Sequence, residues 1–146
     1  MKMTREYAKQ ALEFLKRHEG FSPHLYKDSV GKWTIGYGRN LEDDPLHEYE
    51  AEFLLMQDIE RLDKALSLHE AYQALDNERK AIILDMAYNL GYGGLMKFTH
   101  LWQALEKQDY EQAVKEMLNS EWAEEVKSRA TELAQLMDSS WVQNVR

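Results

Sequence analysis

Residues 18–38 read HEGFSPHLYKDSVGKWTIGYG. A helical stripe runs up to Glu19 and halts at Gly20. A carboxylate, Asp28, follows nine positions on, and a hydroxyl, Thr34, six beyond that, inside a glycine-rich pattern. Two short extended runs, about 24–27 and 32–37, flank Asp-Ser-Val-Gly-Lys, which is the pattern of a β-hairpin. Gly36 and Gly38 weaken an ordinary strand and point to a close approach to the backbone.

Upstream, Thr4 is placed to cap a first helix over about 5–18. Its apolar positions 7, 8, 11, 12, 14 and 15 make one face, and continuing the series puts Glu19 on that face at the helix end. There the carboxylate meets both burial and the unfavourable end of the helix dipole. Downstream, Asp44-Pro45 reads as a cap and first turn, opening a long helix over about 45–67. Asp76 is placed to cap a helix over 77–90 that is apolar nearly all round, and Gly91, Gly93 and Gly94 follow it. Shorter helices are expected over about 96–106, 109–118 and 123–138. The expected fold is α+β and mostly α, a single domain over 1–146. Its small lobe, about 19–44, carries the hairpin, and the 45–67 helix links it to a helical lobe of about 68–146 that takes in the first helix. A cleft between such lobes is the expected ligand site.

Composition narrows the function. The 146 residues are 44% hydrophobic and 30% charged, as in a globular chain with a real core. Cysteine is absent, so no disulfide or thiolate metal site exists. The histidines at 18, 24, 47, 69 and 100 have no paired-ligand spacing, and no metal or other cofactor is expected. A net charge of −8 argues against nucleic acid as a partner. No apolar run reaches the roughly 18 residues of a membrane span, and charges interrupt every candidate signal segment.

As chemistry, Glu19 and Asp28 are a candidate acid/base pair in unlike surroundings. A carboxyl among apolar groups keeps its proton to donate, while one in a polar hairpin stays ionised and orients water, which Thr34 helps to hold. That is the logic of glycoside hydrolysis. The bland readings are an architectural Glu paired with an Arg and an Asp serving its turn. Trp33, Trp102, Trp122, Trp141 and Tyr88 are more often core than sugar platforms.

The run Glu19-Gly20 … Tyr26-Lys27-Asp28 … Gly31-x-Trp33-Thr34-Ile35-Gly36-Tyr37-Gly38 resembles the phage-type lysozymes. The likeness continues in Asn77-Glu78-Arg79-Lys80-Ala81, Tyr88-Asn89-Leu90-Gly91, Phe98 and Ser120-x-Trp122-x-x-x-Val126-x-x-Arg129-Ala130. It implies a lysozyme-like two-lobe fold and hydrolysis of the β-1,4 bond between N-acetylmuramic acid and N-acetylglucosamine in peptidoglycan. By this resemblance Glu19 is the general acid, Asp28 and Thr34 position water for inversion, and Arg129 pairs with the Glu. Gly38, Tyr88 and Asn89 match substrate-contacting positions.

Leu101, Glu116 and Glu121 depart from the polar or basic residues of the best-known member, and Arg39 stands where that member has histidine. Arg39-Asn40-Leu41 looks like the endolysins of phages of Gram-negative hosts. The resemblance further implies a monomer held in the host cytoplasm until a holin opens the inner membrane, and then acting on the cell wall in the periplasm. The acidic charge and the lack of a cationic amphipathic tail lead us to expect weak attack on intact cells from outside. Residues 139–146 are too few for a wall-binding domain. A lytic transglycosylase and a non-catalytic peptidoglycan-binding module are the alternatives.

Overall fold

The computed structural model describes residues 4–139. The fold is α+β and mostly helical, with one small antiparallel sheet near the N-terminus. The chain divides into two compact units, 1–52 and 53–146, which part inside a helix between Glu52 and Phe53. The sequence reading grouped the first helix with the helical lobe, whereas the division places it in the first unit.

In the first unit, helix α1 (Arg5–Glu19) begins where expected. Thr4 caps it by accepting the Tyr7 N–H at 3.2 Å. Gly20 ends it at φ +69°, a left-handed conformation that favours glycine, and donates its N–H to Lys16 O. One expectation fails. No residue of α1 is buried, Glu19 included. The reason lies in how the core is built: every buried apolar side chain among the described residues comes from position 66 onward.

Strand β1 (Ser22–Lys27) pairs antiparallel with β2 (Trp33–Gly36), bringing Tyr26 opposite Thr34 and Lys27 opposite Trp33. The register slips between Ser22 and Tyr26, where Pro23 has no N–H to give, on an edge strand that tolerates it. A third strand, β3 (Arg39–Asn40), was not foreseen. It adds to β2 with Ile35 opposite Arg39 and Thr34 opposite Asn40, so Thr34 sits in the middle strand and is buried.

Helix α2 (Glu48–Leu66) starts three residues later than Asp44-Pro45 suggested. The carbonyls of Asp44 and Pro45, which a helix begun there would use, are taken by the Arg39 guanidinium. Glu50 instead reaches back to the His47 N–H at 2.9 Å, half of a capping box that sets the start at 48.

The second unit is helical. After the short α3 (Glu70–Gln73), helix α4 (Asn77–Leu90) has the expected bounds, with Asp76 accepting the Arg79 N–H at 2.8 Å and Gly91 ending it at φ +81°. Ile82, Ile83, Met86 and Ala87 are buried, but Ala81, Tyr88 and Asn89 face solvent, so the helix is not apolar on every side. Gly93 and Gly94 lie inside α5 (Tyr92–Met96), which is separate from α6 (Thr99–Glu106) because Phe98 leaves helical geometry at ψ 59°. Beyond α7 (Tyr110–Leu118), the helix expected over 123–138 divides into α8 (Glu121–Val126) and α9 (Ser128–Met137). Ser120 starts α8 early by capping the Ala123 N–H, and Lys127 at φ +42° makes the break.

These helices close on one core that includes Leu66, Tyr72, Ile83, Met86, Met117 and Met137. Trp102 and Trp122 are buried in it, as expected of such side chains, while Trp33 stays exposed. Trp141 and the rest of 140–146 lie outside the described residues.

Candidate functional site

Within the first unit, Glu19 meets the hairpin through a glycine. A Cβ built on Gly38 would lie 2.6 Å from Glu19 Oε2 and 3.3 Å from its Cδ. The carboxylate occupies the volume that any other side chain at 38 would need. Gly38 also sits at φ +75°, where a Cβ is strained in its own right. Sequence and contact thus both ask for glycine here, between β2 and β3.

Asp28 is held by its own turn. Its Oδ1 accepts the N–H groups of Val30 at 3.0 Å and Lys32 at 2.9 Å, its N–H donates to Lys32 O, and its carbonyl accepts from Gly31. The bland reading therefore holds in full: Asp28 has turn chemistry to do. It does not exhaust the residue, because both side-chain bonds fall on Oδ1 and leave Oδ2 with its lone pairs. Thr34 Oγ1 donates to Lys32 O at 2.9 Å, which points the hydroxyl oxygen's acceptor side elsewhere. Asp28 and Thr34 thereby both bond the backbone of one residue, Lys32. A carboxyl group and an oriented hydroxyl, both fixed by backbone, are groups able to hold a water.

The second unit carries the other candidates, gathered along one face of α4. Asp85, Tyr88 and Asn89 stand three and four residues apart and share that face. Arg129 Nε donates to Asp85 Oδ1 at 2.7 Å, and its Nη2 reaches Asp85 O at 3.4 Å. Asn89 Oδ1 accepts the indole N–H of the buried Trp122 at 2.8 Å, so its amide NH₂ is the end left for a ligand. Tyr88 is half exposed and, with Asp58, Arg61 and Tyr92, lines a pocket of about 420 Å³.

The sequence reading missed a cluster next to Gly38. The Arg39 fork donates through Nε to Asp44 O at 3.0 Å, through Nη2 to Pro45 O at 2.9 Å and Glu50 Oε1 at 2.9 Å, and through Nη1 to Glu50 Oε2. Nε also lies 3.2 Å from Asp44 Oδ2. The guanidinium beside Glu50, with the His47 N–H, holds that carboxyl down to about 2. The available signal was Glu50 itself, three residues after the true cap. No group of three or more metal-binding side chains occurs among the described residues, and no helix there is long and apolar enough to cross a membrane.

Comparison with known proteins supplies the lineage. Residues 16–137 match the family model described as phage lysozyme. A "Probable T4-type lysozyme 1" of Dictyostelium discoideum is 26% identical, over 87% of this chain and 92% of the relative. An "Endolysin" of Acyrthosiphon pisum secondary endosymbiont phage 1 is 29% identical, over 76% and 77%. The "Pre-baseplate central spike protein Gp5" of Enterobacteria phage T4 is 25% identical over 86% of this chain and 27% of its own length.

Proposed function

Since the chain belongs to the phage lysozyme family, we propose that this lysozyme-type peptidoglycan hydrolase is an endolysin muramidase with Glu19 as its acid. The reading rests on one observation above the rest. The Glu19 carboxylate is seated on Gly38, at the edge of the same small sheet that fixes Asp28 and Thr34.

The chemistry follows from those roles. Glu19 protonates the glycosidic oxygen between N-acetylmuramic acid and N-acetylglucosamine as the bond to the anomeric carbon breaks. Asp28 accepts a hydrogen bond from the attacking water and takes up its proton, and Thr34 fixes the water's direction. Attack from the face opposite the leaving group inverts the anomeric centre. The ion pair that the structure gives Arg129 is with Asp85, so the pairing with the acid that the resemblance implies is not carried over; Gly38, Tyr88 and Asn89 are assigned the sugar contacts. The chain acts as a monomer, gains the wall through a holin and releases phage progeny.

Product chemistry tests the reading. Purified peptidoglycan digested by the protein is expected to yield muropeptides with a free reducing N-acetylmuramic acid by mass spectrometry. A 1,6-anhydro end would mean that the sugar's own hydroxyl displaced the leaving group, as in a lytic transglycosylase. No soluble product would mean a binding module.

A further inference from the structure

We infer that Arg39 is a positioning residue for the Glu19 carboxylate, acting through the backbone of Gly38. The inference rests on the reading of Glu19 as the acid. The carboxylate fills the space beside Gly38 that a Cβ would take, so its place depends on how firmly residue 38 is held. On one side of Gly38, β2 holds the chain. On the other side β3 is only two residues long, a short ladder to fix a catalytic contact.

Arg39 makes up for that shortness. Its fork gathers two carbonyls, Asp44 and Pro45, and the Glu50 carboxylate on the first turn of α2. One planar group thereby ties the strand that follows Gly38 to the helix that begins nine residues later. Neighbouring bonds tighten the same loop: Asn40 Oδ1 accepts from Glu42 and Asp43, Asp44 N–H donates to Asn40 O, and Leu41 N–H to Trp33 O. Arg39 is where this network meets residue 38. The side chains of Arg39 and Glu50 are about three-quarters covered, so water competes little for their bonds. Lysine could supply the charge but not the fork, which reaches three acceptors on two segments at once. Glu50 completes its capping of His47 with the same carboxylate, so helix start and hairpin end are fixed together.

A loosened residue 38 misplaces the acid and, because Gly38 is itself assigned a sugar contact, weakens substrate binding to a lesser degree. Small misplacements of a catalytic group are costly, about 100-fold for 1 Å. The test compares wild type, Arg39→Gln, Arg39→Lys and Glu50→Gln on purified peptidoglycan, with Glu19→Gln as the reference. Kinetics are read well below each Tm, and the folded fraction is checked by circular dichroism. The expected result is a fall in kcat of about tenfold or more for Arg39→Gln and Arg39→Lys, with any rise in KM smaller than that fall. Glu50→Gln, which keeps the bonds to the two carbonyls, is expected to fall less; should Arg39→Gln not fold, Glu50→Gln and Arg39→Lys carry the test. A lowered Tm with wild-type kcat would make Arg39 merely structural and overturn the inference. An active Glu19→Gln would instead overturn the reading of the acid on which it rests.

Discussion

Replacing Gly38 by alanine puts a methyl group where the Glu19 carboxylate now sits. The built Cβ is 2.6 Å from Oε2, and ordinary contact begins at 3.4 Å, so the two must separate by about 0.8 Å. The backbone at φ +75° resists an L side chain but is held on both sides by strands, whereas the carboxylate ends a flexible chain. The carboxylate therefore moves. For stability, the left-handed conformation costs alanine about 1–2 kcal/mol, lowering Tm by about 3–8 °C in a chain of this size. For catalysis, a displacement approaching 1 Å costs on the order of 100-fold. The two effects separate in a turnover assay on purified peptidoglycan well below Tm, with thermal unfolding followed in parallel. We expect kcat/KM to fall by about 10- to 100-fold in a protein that is still folded. A Tm lowered as expected with kcat/KM within threefold of wild type would refute the link between Gly38 and the acid.

Substitution separates the turn chemistry of Asp28 from the work on water proposed for it. Asn keeps an oxygen for the Val30 and Lys32 N–H groups, so Asp28→Asn should hold its Tm and lose about 100-fold or more in kcat; Asp28→Ala should lose that activity and also about 1–2 kcal/mol by urea unfolding. Unchanged activity in Asp28→Asn would leave Asp28 as a turn residue alone. Glu50 is held at about 2, below its ordinary 4.5. Its contribution to stability is thus full above pH 4.5 and is lost as pH falls toward 2, because the unfolded chain takes up the proton first. In urea titrations, the gap between wild type and Glu50→Gln should narrow over that interval, and a gap that did not change with pH would disprove the ion pair. Asp76→Ala should cost about 1 kcal/mol through the lost cap of α4 without changing kcat; a loss of turnover in the folded variant would mean that α4 transmits more than stability.

Much of this was written locally in the chain. Thr4, Asp76, Gly20 and Gly91 mark helix ends by interactions three or four residues long, and each was found where the sequence placed it. The hairpin could be read because Asp28 and Gly31 make its turn from within. What escaped depends on partners farther away or on competition between local signals. Asp44-Pro45 is a sound cap that loses because Arg39 takes its carbonyls. Strand β3 has no periodicity of its own in two residues and exists by pairing with β2. The break at Lys127 lies between two helical patterns that a single stripe also fits. The burial expected of Glu19 extended a periodicity beyond the layer that could satisfy it, because the described core begins at Leu66. Among the site residues, Glu19, Asp28 and Thr34 could be picked from their spacing as candidates, but the contact that seats Glu19 on Gly38 could not.

The central claim is that Glu19 is the proton donor in hydrolysis of the glycan. The most direct test is mass spectrometry of the soluble products from purified peptidoglycan treated with wild type and with Glu19→Gln. Glu19 is exposed, so the amide is accommodated and Tm should be unchanged. The account predicts reducing-end muropeptides from wild type and a loss of about 100- to 10,000-fold in the folded mutant. A folded Glu19→Gln releasing the same muropeptides within tenfold of the wild-type rate would contradict it.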